Sequence, residues 1–205
     1  DGGYDIADYM DIAPEFGGME AFKKVLDGAH QRGMKIVMDL VVNHTSDEHE
    51  WFRRALAGEE KYRDYYIIRP GKNGGLPNNW GNFFALCPWS KFGDSEDEYY
   101  LHLFAEKQPD LNWENPAMRK DIYNMIRFWV EKGIEGFRLD VIDQIGKDPD
   151  LQITCNGPKL HDYFRELSRE AFIEEGIVSV GEAWGANTER AKLYSAPDGS
   201  ELSMV

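Results

Sequence analysis

The 205 residues carry 37 acidic side chains against 23 basic ones, a formal charge of −14 at pH 7, which disfavours nucleic acid and anionic membrane surfaces as partners. The length is that of one domain with a sizeable core, and no apolar run approaches the ~18 residues of a membrane span. Two cysteines, Cys87 and Cys155, exclude a disulfide framework and fit a reducing, cytoplasmic setting. Asp1-Gly2-Gly3-Tyr4-Asp5 shows no signal peptide. With no initial Met and an apolar end at Leu202-Ser203-Met204-Val205, the chain is expected to be a piece of a longer protein.

Phe22, Val25, Leu26 and Ala29 recur at helical spacing, which predicts an amphipathic helix over 18–32. Gly33 ends it, and Met34-Lys35-Ile36-Val37-Met38 predicts a short buried strand closing on Asp39. Residues 45–112 then break the rhythm, 68 residues where a βα loop is normally a handful. They hold 13 of the 27 aromatic residues, and dense turn chemistry at Pro70-Gly71-Lys72-Asn73-Gly74-Gly75 and Pro77-Asn78-Asn79. An irregular inserted subdomain is expected there, with most of its aromatics in a core of its own. The helix signal returns at Ile122, Met125, Ile126 and Trp129, with Pro116 near the start. Gly133 stops that helix, and Ile134-Glu135-Gly136-Phe137-Arg138-Leu139 runs to Asp140. A third helix is predicted from Leu160, Tyr163, Phe164, Leu167 and Ala171, followed by Gly176 and by Ile177-Val178-Ser179-Val180-Gly181, which reaches Glu182.

Helices alternating with short buried strands predict parallel βαβ units. Each strand carries a carboxylate at its C-terminal end, where barrels and open α/β sheets place their chemistry. A complete barrel needs ~250 residues. The expectation is therefore a partial (β/α)8 TIM barrel of class α/β, about strands 3 to 5, with a further strand starting at Glu201. Residues 1–44 and 113–205 would belong to the barrel and 45–112 to the insertion. A flavodoxin-like open sheet is the alternative, but no Gly-rich phosphate loop follows any strand.

Asp140 and Glu182 end two consecutive strands. Adjacent strands lie ~4.8 Å apart, so the two carboxyl groups approach the about 5–5.5 Å separation of a retaining glycosidase pair. Arg138, two residues before Asp140 and on the same strand face, is expected to hold Asp140 ionised. Glu182 has no base close in sequence, so partial burial is expected to raise its pKa towards that of a general acid. By spacing alone, buried structural ion pairs explain these residues equally well. His44, just past the first strand, reads either as a structural histidine or as a ligand contact. With Glu48 and His49 it would form the one zinc grouping in sight, and neither HExxH nor a cysteine pair supports that. Asp39 is expected to be the least exposed carboxylate, orienting its neighbours.

Asp39-Leu40-Val41-Val42-Asn43-His44, Gly136-Phe137-Arg138-Leu139-Asp140-Val141 and Val180-Gly181-Glu182 resemble three signature blocks of the alpha-amylase family of glycoside hydrolases. Gln108-Pro109-Asp110-Leu111-Asn112-Trp113-Glu114-Asn115 resembles a fourth, from the oligo-1,6-glucosidase branch. Asn156-Gly157-Pro158-Lys159-Leu160-His161, Gly181-Glu182-Ala183-Trp184-Gly185-Ala186 and the 42-residue step from Asp140 to Glu182 resemble its glucan 1,6-alpha-glucosidase (dextran glucosidase) subgroup.

The resemblance implies an alpha-glucosidase that releases glucose from the non-reducing ends of small alpha-1,6-linked oligosaccharides. It implies Asp140 as nucleophile, Glu182 as acid/base and Arg138 as the partner of Asp140. His44, Asp1 and Tyr4 would hold the terminal glucose, Phe84 and Phe104 would wall its pocket, and Val141 would go with alpha-1,6 cleavage. No cofactor is implied for the chemistry. The calcium or magnesium loop of many relatives, and a third carboxylate in an Asn-His-Asp block, would lie outside these residues, so this stretch alone is expected to be inactive. Trehalose-6-phosphate hydrolase and broader alpha-glucosidase activity are the alternatives within the family, and a catalytically inactive amylase-like domain is the alternative outside it.

Overall fold

The computed structural model describes residues 2–81, 83, 84, 87–172 and 176–205. The chain divides into two compact units, Asp1–Ala7 with Asn43–Arg119, and Asp8–Val42 with Lys120–Val205.

The second unit is built on a parallel sheet of three strands, β1 (Val37–Leu40), β5 (Gly136–Leu139) and β6 (Val178–Gly181), in the order β1-β5-β6. Each follows a helix: α1 (Gly18–His30), α4 (Pro116–Glu131) and α5 (Leu160–Ala171). The glycines after these helices, Gly33, Gly133 and Gly176, have φ of 69°, 104° and 91°, the left-handed turn that stops a helix and that glycine enters without a Cβ clash. The expected core positions of α4 (Ile122, Met125, Ile126 and Trp129) and of α5 (Leu160, Tyr163, Phe164, Leu167 and Ala171) are all buried. Full burial of one such large apolar side chain is worth about 1.5–3 kcal/mol. Phe22 of α1 meets Trp129 of α4 edge to face at 5.3 Å, and the Trp129 indole donates to the Tyr9 carbonyl at 2.7 Å. Among the described residues no helix is long and apolar enough to cross a membrane.

Several expectations for this unit change. Val25 is 62% exposed while Leu26 and Ala29 are buried, because the packed arc of α1 runs through Phe22, Leu26 and Ala29 and leaves Val25 beyond its edge. The first strand runs over Val37–Leu40 rather than Met34–Met38, so Asp39 lies within it, and of its residues Leu40 alone is buried, where a buried strand was expected. As part of an edge strand Asp39 keeps its side chain 44% exposed, whereas Asp110 and Asp143 are fully buried. Beyond β6, no strand forms from Glu201 among the described residues; a single parallel bridge joins Val180 and Met204.

The first unit holds more regular structure than expected. Helices α2 (Glu50–Leu56) and α3 (Glu60–Arg63) precede an antiparallel sheet of β2 (Ile68–Pro70), β3 (Trp89–Lys91) and β4 (Glu98–Leu101), in the order β2-β4-β3. Strands of three or four residues are too short to show an alternating pattern. Ile67, Trp89, Leu101 and Leu103 form the buried cluster of this sheet, with Trp80, Tyr99 and Phe104 packed on it. Phe52 meets the rings of Tyr66, Phe92 and Tyr100 edge to face. Core packing thus takes most of the aromatic excess.

Candidate active site

In the second unit, strand register assembles the charged cluster. Asp39 pairs with Arg138 and Leu139 with Gly181, so Asp140 and Glu182 leave neighbouring strands side by side. The backbone continues the ladder past the strand ends: Asp140 N–H donates to Leu40 O at 3.0 Å, and Glu182 N–H donates to Leu139 O at 2.9 Å. Arg138 then serves three carboxylates. Its Nη1 donates to Asp140 Oδ1 at 2.8 Å and to Asp39 at 2.9 Å, while Nη2 donates to Glu182 Oε2 at 2.7 Å. A guanidinium suits this role because its donors form a rigid fork.

Glu182 receives two further hydrogen bonds. The Trp184 indole donates to Oε1 at 3.0 Å, and the backbone N–H of Val141 donates to Oε2 at 3.1 Å. Val141 does so from a left-handed conformation, φ 37° and ψ 43°, which is uncommon for a β-branched residue and marks local strain. Its side chain is buried.

These surroundings reverse the protonation order expected from the sequence. Burial pushes Asp140 up to about 6; Arg138 opposes the rise, while the Glu182 and Asp39 charges reinforce it. Burial also acts to raise Glu182, but the Trp184 indole, the Val141 N–H and Arg138 outweigh it and hold Glu182 below its usual value. Arg138 is itself held above its ordinary value: burial works against the charge, and the hydrogen bond to Asp39 and the charges of Asp39, Asp140 and Glu182 prevail.

The first unit gathers Tyr4, His44, Phe84 and Phe104; Asp1 lies outside the described residues. His44 is buried. Its Nδ1 lies 3.1 Å from Asn43 Nδ2 and accepts from it; its Nε2 then donates to the Tyr4 carbonyl at 2.8 Å. Gln108 donates to the same carbonyl at 3.0 Å. The His44 and Phe104 rings lie 5.5 Å apart, Phe83 stacks on Phe104 at 4.9 Å, and Phe84 meets Phe104 edge-on at 6.2 Å. Phe84 is 57% exposed, so an aromatic surface borders the His44 group. His49 caps α2, its Nδ1 accepting from Trp51 N–H at 3.1 Å. Among the described residues no group of three or more His, Cys, Asp or Glu side chains is gathered to hold a metal ion.

Two contributors had been given no role from the sequence. Gln108 opens the Gln108–Asn115 block, which assigns it no role. Trp184 stands two residues past Glu182, in the turn after β6.

The alpha amylase catalytic-domain family profile matches residues 1–205. A glucan 1,6-alpha-glucosidase of Streptococcus dysgalactiae subsp. equisimilis is 52% identical over 206 residues, covering all of this chain and 37% of that protein. An oligo-1,6-glucosidase of Parageobacillus thermoglucosidasius is 48% identical over 221 residues, covering all of this chain and 39% of that protein. The chain thus spans about two fifths of these relatives. The crystal structure of Bacillus licheniformis trehalose-6-phosphate hydrolase superposes with a TM-score of 0.93 at 44% identity, covering 98% of this chain and 38% of that one. The three-stranded parallel sheet with its helices is therefore part of a TIM barrel.

Proposed function

The chain belongs to the alpha-amylase catalytic-domain family, and on that premise we propose that it carries the nucleophile and acid/base of a retaining alpha-glucosidase acting on alpha-1,6-linked gluco-oligosaccharides. The observation that carries this reading is the placement of Asp140 and Glu182 on neighbouring strand ends with Arg138 forked between them. Asp140 attacks the anomeric carbon while Glu182 protonates the departing glycosidic oxygen, which leaves as the shortened oligosaccharide. Glu182, now a carboxylate, takes a proton from water; that water displaces Asp140 and releases glucose with its original anomeric configuration. Arg138 keeps the attacking carboxylate oriented. Val141, next to the attacking carboxylate, sets the preference for alpha-1,6 links.

The relatives favour the linkage. The glucan 1,6-alpha-glucosidase aligns over 206 positions, one more than the 205 residues here, whereas the oligo-1,6-glucosidase requires 221. The near absence of gaps, with the higher identity, favours the glucan 1,6-alpha-glucosidase type. The trehalose-6-phosphate hydrolase likeness supports a second reading, which substrate comparison separates. Isomaltotriose should be hydrolysed by the full-length protein and trehalose 6-phosphate should not. Glu182→Gln should cost about 10²–10⁴-fold in turnover of isomaltotriose, the usual worth of a general acid, and Asp140→Ala at least as much, with partial rescue by azide. Near-native activity of Asp140→Ala would refute the assignment.

A further inference from the structure

Asp143 is a fully buried carboxylate that the proposed chemistry does not use. A carboxylate removed from water is costly to retain unless its bonds serve the fold or the site. It stands in the 3-10 helix Ile142–Gly146, directly after Asp140 and Val141, and its Oδ2 accepts from the backbone N–H of Gly185 at 2.7 Å. Gly185 follows Trp184, whose indole reaches Glu182. The next peptide link is held too: Gly185 O accepts from Asn156 Nδ2 at 3.3 Å and from Arg190 Nη1 at 3.0 Å. Asn156 is fixed in turn, because its Oδ1 accepts from the Tyr194 hydroxyl and its backbone N–H donates to Asp143 O at 3.1 Å.

The seat admits no side chain at position 185. A Cβ there would strike Asn156 Nδ2, lie 2.6 Å from Cys155 Sγ and 3.1 Å from Asp143 Oδ2. Residues 183–186 therefore rest on a saddle made by Asp143, Cys155 and Asn156. One short segment, 140–143, thus supplies the attacking carboxylate, a backbone donor to one oxygen of Glu182, and the anchor of the loop that serves its other oxygen.

We propose that Asp143 is a positioning residue for the acid/base Glu182, acting through Gly185 and the Trp184 indole. The inference rests on the reading of Glu182 as acid/base. It predicts a leaving-group signature that a purely structural role lacks, since a mispositioned acid harms substrates that need protonation and spares those that do not. Burial pushes the Asp143 carboxyl above its usual range, so Asn, isosteric with a neutral acid, keeps the acceptor for Gly185 N–H.

The test measures kcat/KM of the full-length protein on isomaltose and on p-nitrophenyl alpha-glucoside, whose leaving group departs without a proton. Asp143→Ala and Gly185→Ala should each lower the isomaltose value by roughly 10²-fold, the scale of a small misplacement at a reacting centre, and the p-nitrophenyl value far less. Asp143→Asn should recover most of the loss. Equal losses on both substrates, or no loss, in Gly185→Ala overturn the inference, and this variant decides alone if Asp143→Ala does not fold. Glu182→Gln separates the two levels. Should it show no leaving-group dependence, the acid/base reading fails; should it show the dependence while Asp143→Ala and Gly185→Ala do not, the positioning role alone fails.

Discussion

Asp140 has a side chain only 9% exposed, beside two other carboxylates and one guanidinium. The sequence shows Arg138 as its neighbour and nothing near Glu182, which suggests that the arginine lowers Asp140 and leaves Glu182 to burial. The fold changes both halves of that argument. The fork of Arg138 is shared three ways, so its pull on Asp140 is diluted while burial and two like charges act against ionisation. Glu182 gains donors from Trp184 and Val141 that no local reading of residues 181–184 supplies together. Two coupled carboxylates titrate as a pair, and here the proton of the pair favours Asp140, whereas attack requires it on Glu182. In stability the sign follows directly. The folded protein binds this proton more tightly than the unfolded chain, so the contribution of Asp140 declines as pH rises from about 4 to about 6. Replacing Glu182 by Gln removes one of the charges that raise Asp140, and its midpoint should fall below about 6 while burial keeps it above the ordinary carboxylate value. The pH dependence of labelling by a glucosyl fluoride, which leaves with little help from an acid, reads this midpoint in the wild type and in Glu182→Gln. A midpoint that stays or rises would show that Glu182 does not bear on Asp140.

At the level of elements, the helices and parallel strands were legible because each repeats one grammar: an apolar arc, a glycine stop, a short apolar run and a carboxylate. Two things were not. The antiparallel strands β2, β3 and β4 are too short for periodicity and are joined by long turns. The sideways packing of the parallel strands is also invisible along the chain, and it gives Gly136 a meaning that its place in Ile134-Glu135-Gly136-Phe137 does not suggest. Gly136 is flanked in register by Val37 on β1 and Val178 on β6. A Cβ there would lie 2.8 Å from Val178 O and 3.2 Å from Val37 Cγ2, one of them backbone that cannot yield without moving a strand. Gly136→Ala should therefore destabilise by about 1–3 kcal/mol, the usual cost of overpacking, and should loosen the register that aligns Asp140 with Glu182. Thermal denaturation of the full-length protein checks the first effect and turnover the second. A stability gain, as for alanine in an unconstrained strand, would show that the sheet has room at this position.

At the scale of the molecule, charge and apolar surface oppose each other. The formal charge of −14 favours dispersal of separate chains. Against it stand exposed apolar side chains of the second unit: Val37 is 52% exposed, Val25 62%, Met34 52% and Phe16 74%. Val37 also begins an edge strand. Unpaired edge hydrogen-bonding groups beside exposed apolar side chains form a template for another strand. Charge repulsion is screened within about 8 Å at physiological ionic strength, a reach comparable to the ~4.8 Å of strand pairing, whereas apolar burial gains with added salting-out ions. The 205 residues expressed alone should therefore associate, more strongly as salt and protein concentration rise. Val37→Lys should reverse this, since a charge on an edge strand disfavours edge pairing. Sedimentation velocity across salt and protein concentrations measures the outcome. A single monomeric species throughout would show that the β1 edge is not an association surface, and association unaffected by Val37→Lys would place the contact elsewhere.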